Sequence, residues 1–293
     1  EIYTLSLHDA LPIFGRWAAG GLFVGLFLAA RFRRMSQHTV PEMMGAAFGP
    51  KTRLVGVVAQ LLIMMTITAL QYVAGGAILA SMLPGLFTLK TGMIASAAVF
   101  IAITLTGGYW ASGLTNVVNV VIIYVGIFAA LWGGVRGFGG VENILKALPE
   151  GKAWFDPVEG IGSAILAAWM AVMITMACST QAAVQIALSA RDERSARNGF
   201  LLGALLIFPA GFLCSLFGIM AASQFPGLPN PTLALPTIAA HISPLIGGLF
   251  LAGLWAADVS TAVGLLMGSS TLLVQDVLCQ RSEERRVGKE CRS

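Results

Sequence analysis

Three polar side chains inside one apolar run could do chemistry. The stretch LFLAGLWAADVSTAVGLLMGSS begins at Leu249 and carries Asp258, Ser260 and Thr261 in what otherwise reads as a membrane helix. At about 100° per residue, Ala257, Ser260 and Thr261 share one helical face. The Ala257 carbonyl and the two hydroxyls then offer three uncharged oxygens, the donor type that suits a hard, weakly polarising cation such as Na⁺. One face cannot surround an ion, so further ligands must come from another helix, as discontinuous helices provide in secondary transporters. Asp258 is a separate matter. A carboxylate at the bilayer midplane costs about 2.5–3.5 kcal/mol on insertion scales, and intramembrane acids are functional by default. It could sit beside the ion path, take up a proton, or pair with a neighbouring polar helix and orient it.

The elements that must hold these groups are set by composition. The chain is 57% hydrophobic and 11% charged, with a mean hydropathy of +0.81. Soluble domains carry about 25% charged residues. No charge interrupts Leu54 to Leu89 or Thr91 to Val135, and apolar runs of that length imply membrane spans. The expected class is an all-α polytopic membrane protein with a small organic solute and membrane lipid as partners, no nucleic acid and no obligate protein partner. The net charge of +4 reflects loop topology, because Lys and Arg cluster between the spans.

The two ends differ from the rest. Residues 1–13, EIYTLSLHDALPI, and 281–293, RSEERRVGKECRS, read as translated sequencing-adapter DNA, the second oligonucleotide being largely the reverse complement of the first. Such scars are excluded from fold reasoning. Residues 14–280 are then expected to be an internal piece of a longer transporter, inactive by itself.

About seven hydrophobic segments follow: Phe14–Ala30, Leu54–Leu83, Gly92–Leu105, Leu114–Trp132, Ile161–Leu188, Gly199–Ala222 and Ile246–Leu278. Gly107-Gly108 reads as a break between the third and fourth. The loops after the first and fifth segments hold Arg31, Arg33, Arg34, Lys51 and Arg53, and Arg191, Arg194 and Arg197. Alternation puts both on one side, which the positive-inside rule makes cytoplasmic. Thr39 can cap a short helix with Pro41 and Glu42 in its first turn. Within the spans, Gln60, Met64, Thr68, Gln71 and Gly75 share a face, as do Ser112, Thr115, Asn116 and Asn119. Thr175, Ser179, Thr180, Gln181 and Gln185 close the fifth segment. Polar stripes can be interhelical glue. Repeated in several helices, they indicate a polar interior, with Gln71, Thr115 and Gln181 as candidates for the solute pathway.

At this point a family resemblance carries weight. LAGLWAADVSTAVGLLMGSSTLLVQDV resembles the eighth core helix of the sodium:solute symporter family, typically AAIMSTADSxLLxxSSLxxxD. RFRRMSQHTVPEMMGAAFG is similar to that family's R-x-x-T-x-P-E loop. GGYWASGLTNVVN is similar to its G-G-x-x-A-x-x-x-T-D-x-x-Q, and STQAAVQIALSARDERSAR to its Q-x-x-x-Q-R-x-L-A-A-K. The four occur in order across nearly all of 14–280. The resemblance implies a LeuT-type fold of two inverted five-helix repeats, here spanning the end of core helix two through core helix eight. It also implies a Na⁺ site to which core helix eight contributes Ala257, Ser260 and Thr261, with core helix one supplying carbonyls.

Departures accompany the match. The family's T-D of helix five is Thr115-Asn116, and the D-S after S-T-A in helix eight is Val263-Gly264. The second sodium site that some members build there is therefore expected to be absent. Asp258 stands where the family has an apolar residue, so a carboxylate lost at Asn116 could be replaced at Asp258. The expected function is Na⁺-coupled transport of a small organic solute by alternating access, in a bacterial-type plasma membrane, with Na⁺ as coupling ion and no enzymatic activity. Two alternatives stay open: a proton-coupled relative that uses Asp258, and a membrane sensor with a transporter-like body. No H-x-x-x-H, G-x-S-x-G or Walker loop supports catalysis or nucleotide-driven pumping.

Overall fold

The computed structural model describes residues 7–35, 37–150, 154, 162–226 and 234–279, with side chains throughout except at 7–14 and 108–112. Ser112, Lys152 and segment 281–293 lie outside those limits. The described residues are helical. α1 (Leu7–Phe23) passes through a π turn at Val24–Leu28 into α2 (Ala29–Arg34), and α3 (Val40–Phe48) leads into α4 (Pro50–Met82). α5 (Leu89–Gly137), the short α6 (Val141–Lys146), α7 (Ser163–Ser179) and α8 (Gln181–Leu188) follow. α9 (Glu193–Gln224), α10 (Ala234–His241) and α11 (Pro244–Leu272) complete the bundle, and α11 ends in a π-wound stretch, Leu273–Cys279.

Local chemistry explains the boundaries. Thr39 caps α3: its hydroxyl accepts from the Glu42 N–H at 3.1 Å, Pro41 sits in the first turn, and the Glu42 carboxylate accepts from the His38 N–H at 2.7 Å. That is the start read from the sequence. Thr88 and Thr91 cap each other at the head of α5. Asp192 opens α9 by accepting from the Ser195 N–H at 2.7 Å, a bond that holds its carboxyl below the usual range. Gly49 and Gly140 have φ of 93° and 95° at helix starts, where a side chain would be strained.

Five helices among the described residues are long and apolar enough to cross a membrane, and a sixth span arises if the bent pair α7–α8 is one. The first expected segment, Phe14–Ala30, is helical through α1, the π turn and α2. α1 by itself, at 17 residues, is shorter than the helices counted above. Large apolar side chains such as Leu54, Val58, Leu62, Met65 and Leu70 stand exposed along α4. Lipid takes that role in a chain whose backbone polar groups are satisfied within its helices.

α5 is helical from Leu89 to Gly137, yet its two halves oppose each other. Phe100 stacks on Tyr72 and packs in one cluster with Val259. Asn119 donates to the Ala256 carbonyl, and Gly126 lies against Phe250. A straight helix would separate Phe100 and Asn119 by roughly 28 Å, but both meet the same turn of α11. The chain therefore reverses between Ile103 and Asn119, as expected near Gly107-Gly108, and Leu89–Gly107 and Gly113–Gly137 count as separate spans.

Ion pairs fix the ends of the bundle. Arg34 joins Glu193 at 2.7 Å, tying the two basic loops together, and Arg53 joins Asp276 at 2.7 Å on the same end. At the opposite end Phe225 packs against both Phe138 and His241. The inferred alternation of these loops thus holds. α4 and α5 cross backbone to backbone: a Cβ on Gly76 would lie 2.7 Å from the Met93 nitrogen and 2.9 Å from the Leu89 carbonyl oxygen, and one on Gly92 would lie 2.7 Å from the Gly76 carbonyl oxygen. Neither helix can relieve this by a rotamer change. Gly76→Val is expected to cost on the order of 1–3 kcal/mol, the range for overpacking, read as a lower melting temperature of the detergent-solubilised protein.

Candidate functional site

α11 is the element on which the site is built. Its buried face carries Phe250, Leu251, Val259, Ala262, Val263 and Leu265, packed against α4 and α5. The polar stripe read on α4 is part of that contact: Gln60, Met64, Thr68 and Gly75 are buried, and Gln71 is half-buried. Ala257 and Ser260 are half-buried, Thr261 is exposed, and nothing lies within 4 Å of the Cβ position of Gly264. Ala257, Thr261 and Gly264 therefore share an open face.

On this face Ser260 and Thr261 donate to one acceptor, the Ala257 carbonyl, at 2.8 and 3.0 Å. Back-bonding of hydroxyls to the preceding turn is common in membrane helices, and Thr68 and Thr104 do it here too. What differs at Ala257 is convergence of two hydroxyls on one carbonyl at an open surface. Each hydroxyl commits its proton to that bond and keeps lone pairs, whereas the Ala257 carbonyl already accepts from both. The two hydroxyl oxygens are the acceptors this face can offer a small cation.

Asp258 lies on the adjoining, buried face. It is buried, its Oδ2 has no hydrogen-bond partner, and it lies over Gly75 of α4 beside Ser96 of α5. The first half of α5 thus supplies its surroundings. Asn116 is half-buried and its Oδ1 lacks a partner, while Asn119 is the side chain that reaches α11. Thr115 is exposed.

Gln181 has a structural position. It is fully buried, its side-chain oxygen accepts from the Val40 N–H at 2.8 Å, and its amide donates to the His38 carbonyl and Gln185 at 3.4 Å. It begins α8 directly after a 51° bend in the fifth segment. The segment read as Ile161–Leu188 is longer than a bilayer needs and so must tilt, kink or run past it. From Ser163 on, the structure shows the kink. Thr180 is extended there and interrupts the ladder. Gln60 of α4 repairs the break from outside: it donates to the Ser179 carbonyl at 2.8 Å and accepts from the Gln181 N–H at 3.0 Å. Ser179-Thr180 before a helix-forming run was the legible signal, since such residues favour helix starts. Gln60→Leu should leave a donor and an acceptor unpaired, at about 1–3 kcal/mol each, and it should speed amide exchange at Gln181 well beyond any change at α4.

The model of the sodium:solute symporter family matches residues 16–290. The chain belongs to the sodium:solute symporter family. It is 25% identical over 269 residues to the sodium/pantothenate symporter of Escherichia coli, covering 89% of this chain and 55% of that protein. It is 24% identical over 290 residues to the sodium/glucose cotransporter of Vibrio parahaemolyticus, covering 87% and 53%. The sodium/pantothenate symporter of Haemophilus influenzae is 24% identical over 187 residues, covering 62% and 38%. The chain thus spans about half the length of the relatives it matches most fully. It is an integral, multi-pass membrane protein of a transporter family, not an enzyme.

Proposed function

We propose that this symporter segment is the central part of a transporter that moves a small organic solute with Na⁺ by alternating access. Residues 14–280 are the transporter portion in this reading, and 1–13 and 281–293 are foreign to it. The observation that carries it is the convergence of the Ser260 and Thr261 hydroxyls on the Ala257 carbonyl at an open face of α11. The two hydroxyl oxygens, oriented by the Ala257 carbonyl, are one side of the Na⁺ site, and carbonyls from another helix complete it. Relatives named for pantothenate and for glucose support a small polar organic solute. The bacterial relatives support a plasma-membrane location.

Gln71, half-buried on the polar stripe of α4, and Thr115, on the second half of α5, line the solute path in this proposal. Gln181 belongs to it as the residue that sets the bend between α7 and α8. That bend supplies the discontinuous helix around which transporters of this kind rock. Uptake into proteoliposomes of the full-length symporter tests the reading. A Na⁺ gradient should drive accumulation, and replacing Na⁺ by K⁺ at fixed pH should abolish it. Accumulation driven by a pH gradient alone, with K⁺ in place of Na⁺, contradicts it.

A further inference from the structure

The pocket around Asp258 is not accounted for by the Ala257–Ser260–Thr261 face. A Cβ added to Gly75 would lie 2.5 Å from Asp258 Oδ2 and 2.7 Å from Ser96 Oγ. Two oxygens from different helices thus pack side by side against the bare Cα of a glycine on a third. Asp258 is 7% exposed and Ser96 is fully buried, so the pair is shielded from lipid and water. Asp258 Oδ2 has no hydrogen-bond partner, although a hydroxyl stands beside it. Ser96 Oγ instead accepts from the Trp255 indole N–H at 3.2 Å, which orients the hydroxyl oxygen and leaves it a free lone pair.

Charge makes the arrangement telling. Among the described residues no Lys, Arg or His pairs with Asp258. On the three helices around it, Lys51 and Arg53 lie at the far start of α4, and Arg53 is held by Asp276. Lys90 is exposed at the start of α5, and Arg136 stacks on Trp132 near its end. The neighbouring Val259 and the Trp255 that bonds to Ser96 belong to an apolar cluster with Phe100 and Tyr72. A buried carboxylate with no protein counter-charge is neutralised either by a proton or by a bound cation, and a neighbouring hydroxyl oxygen favours the cation. A carboxylate and a hydroxyl that face one another without a mutual hydrogen bond are a ligand pair for a hard monovalent ion.

We infer that Asp258 and Ser96 form a second alkali-cation site, walled by Gly75 and Trp255 and separate from the open face of α11. The inference goes beyond the proposed function and rests on it only for the ion's part in transport. Gly75 is the positioning residue, because any side chain there would drive the two oxygens apart. Trp255 is the natural reporter, since it touches Ser96 directly.

Equilibrium binding of radioactive sodium to the purified full-length symporter, without solute, tests the inference. The unmodified protein is expected to bind two ions per chain. Asp258→Asn should bind one, with the affinity of the remaining site within about twofold of the original. Ser96→Ala, which keeps the carboxylate, should weaken the same site about tenfold, and this variant carries the test if Asp258→Asn does not fold. A Na⁺-dependent change in tryptophan fluorescence should disappear in Trp255→Phe. An ion count that Asp258→Asn and Ser96→Ala both leave unchanged overturns the inference. If only a Ser260/Thr261 variant lowers the count, the open-face reading survives and this site does not exist. If only Asp258→Asn and Ser96→Ala lower it, this site stands and the open-face reading fails.

Discussion

Removing Arg53 should destabilise the symporter more than any other single truncation at the end of the bundle that carries Arg34 and Arg53. The Asp276 side chain is completely buried, and Arg53, 22% exposed, meets its Oδ1 at 2.7 Å from the start of α4. The second carboxylate oxygen is buried without a partner. Arg53→Ala therefore leaves a buried charge uncompensated, which costs on the order of 3–5 kcal/mol. Replacing both partners by apolar residues of similar size, Arg53→Met with Asp276→Leu, should restore most of the loss. Melting of the four proteins in detergent completes a double-mutant cycle and isolates the coupling. By contrast the Arg34–Glu193 pair is largely exposed, with side-chain exposures of 68% and 40%. Its removal should shift the melt little, and less still at high salt. If Arg53→Ala and Arg34→Ala prove equally mild, burial of Asp276 is not what holds α4 to the end of α11.

The second large effect falls on function and spares the fold. Ser260→Ala and Thr261→Ala each remove one oxygen from the open face of α11. A lost hydrogen bond or ligand contact to a charged partner is worth about 1.5–3 kcal/mol, and each 1.4 kcal/mol is tenfold in affinity. Each variant should raise the Na⁺ concentration for half-maximal uptake by at least about tenfold, and the double variant further. Stability should barely move, because Thr261 is exposed and Ser260 half-buried, and neither hydroxyl bonds to another helix. Thr68→Ala provides the comparison. Its hydroxyl makes the same kind of back-bond to Met64, at 2.7 Å, but in the buried contact with α11. It should affect stability and leave the Na⁺ dependence unchanged.

Much of this was legible in the sequence because a bilayer makes a few signals strong. Uncharged runs announced the spans, and Thr39, Pro41 and Glu42 announced α3. The stripe at Gln60, Met64, Thr68 and Gly75 announced which face of α4 turns inward, since period and polarity decide that directly. The reversal within α5 was readable at Gly107-Gly108. Less legible were features that depend on a partner distant in sequence. The bend at Thr180 persists because Gln60, far upstream, takes up the freed backbone groups, and no local pattern encodes that rescue. The π turn at Val24–Leu28 lies in an unremarkable apolar run, and we have no residue-level cause for it. Asp258 was conspicuous as a charge, but its direction was not. Three residues separate it from Thr261, a difference of about 60° around the helix, and only the packing of Gly75 and Ser96 reveals that it turns inward while Thr261 turns out.

Direct binding of sodium to the full-length symporter carrying Ser260→Ala with Thr261→Ala weighs most heavily on the account. With the fold verified by melting, one high-affinity ion should vanish from the binding isotherm. An isotherm that superimposes on that of the unaltered protein would mean that the hydroxyls at Ala257 serve only the helix itself.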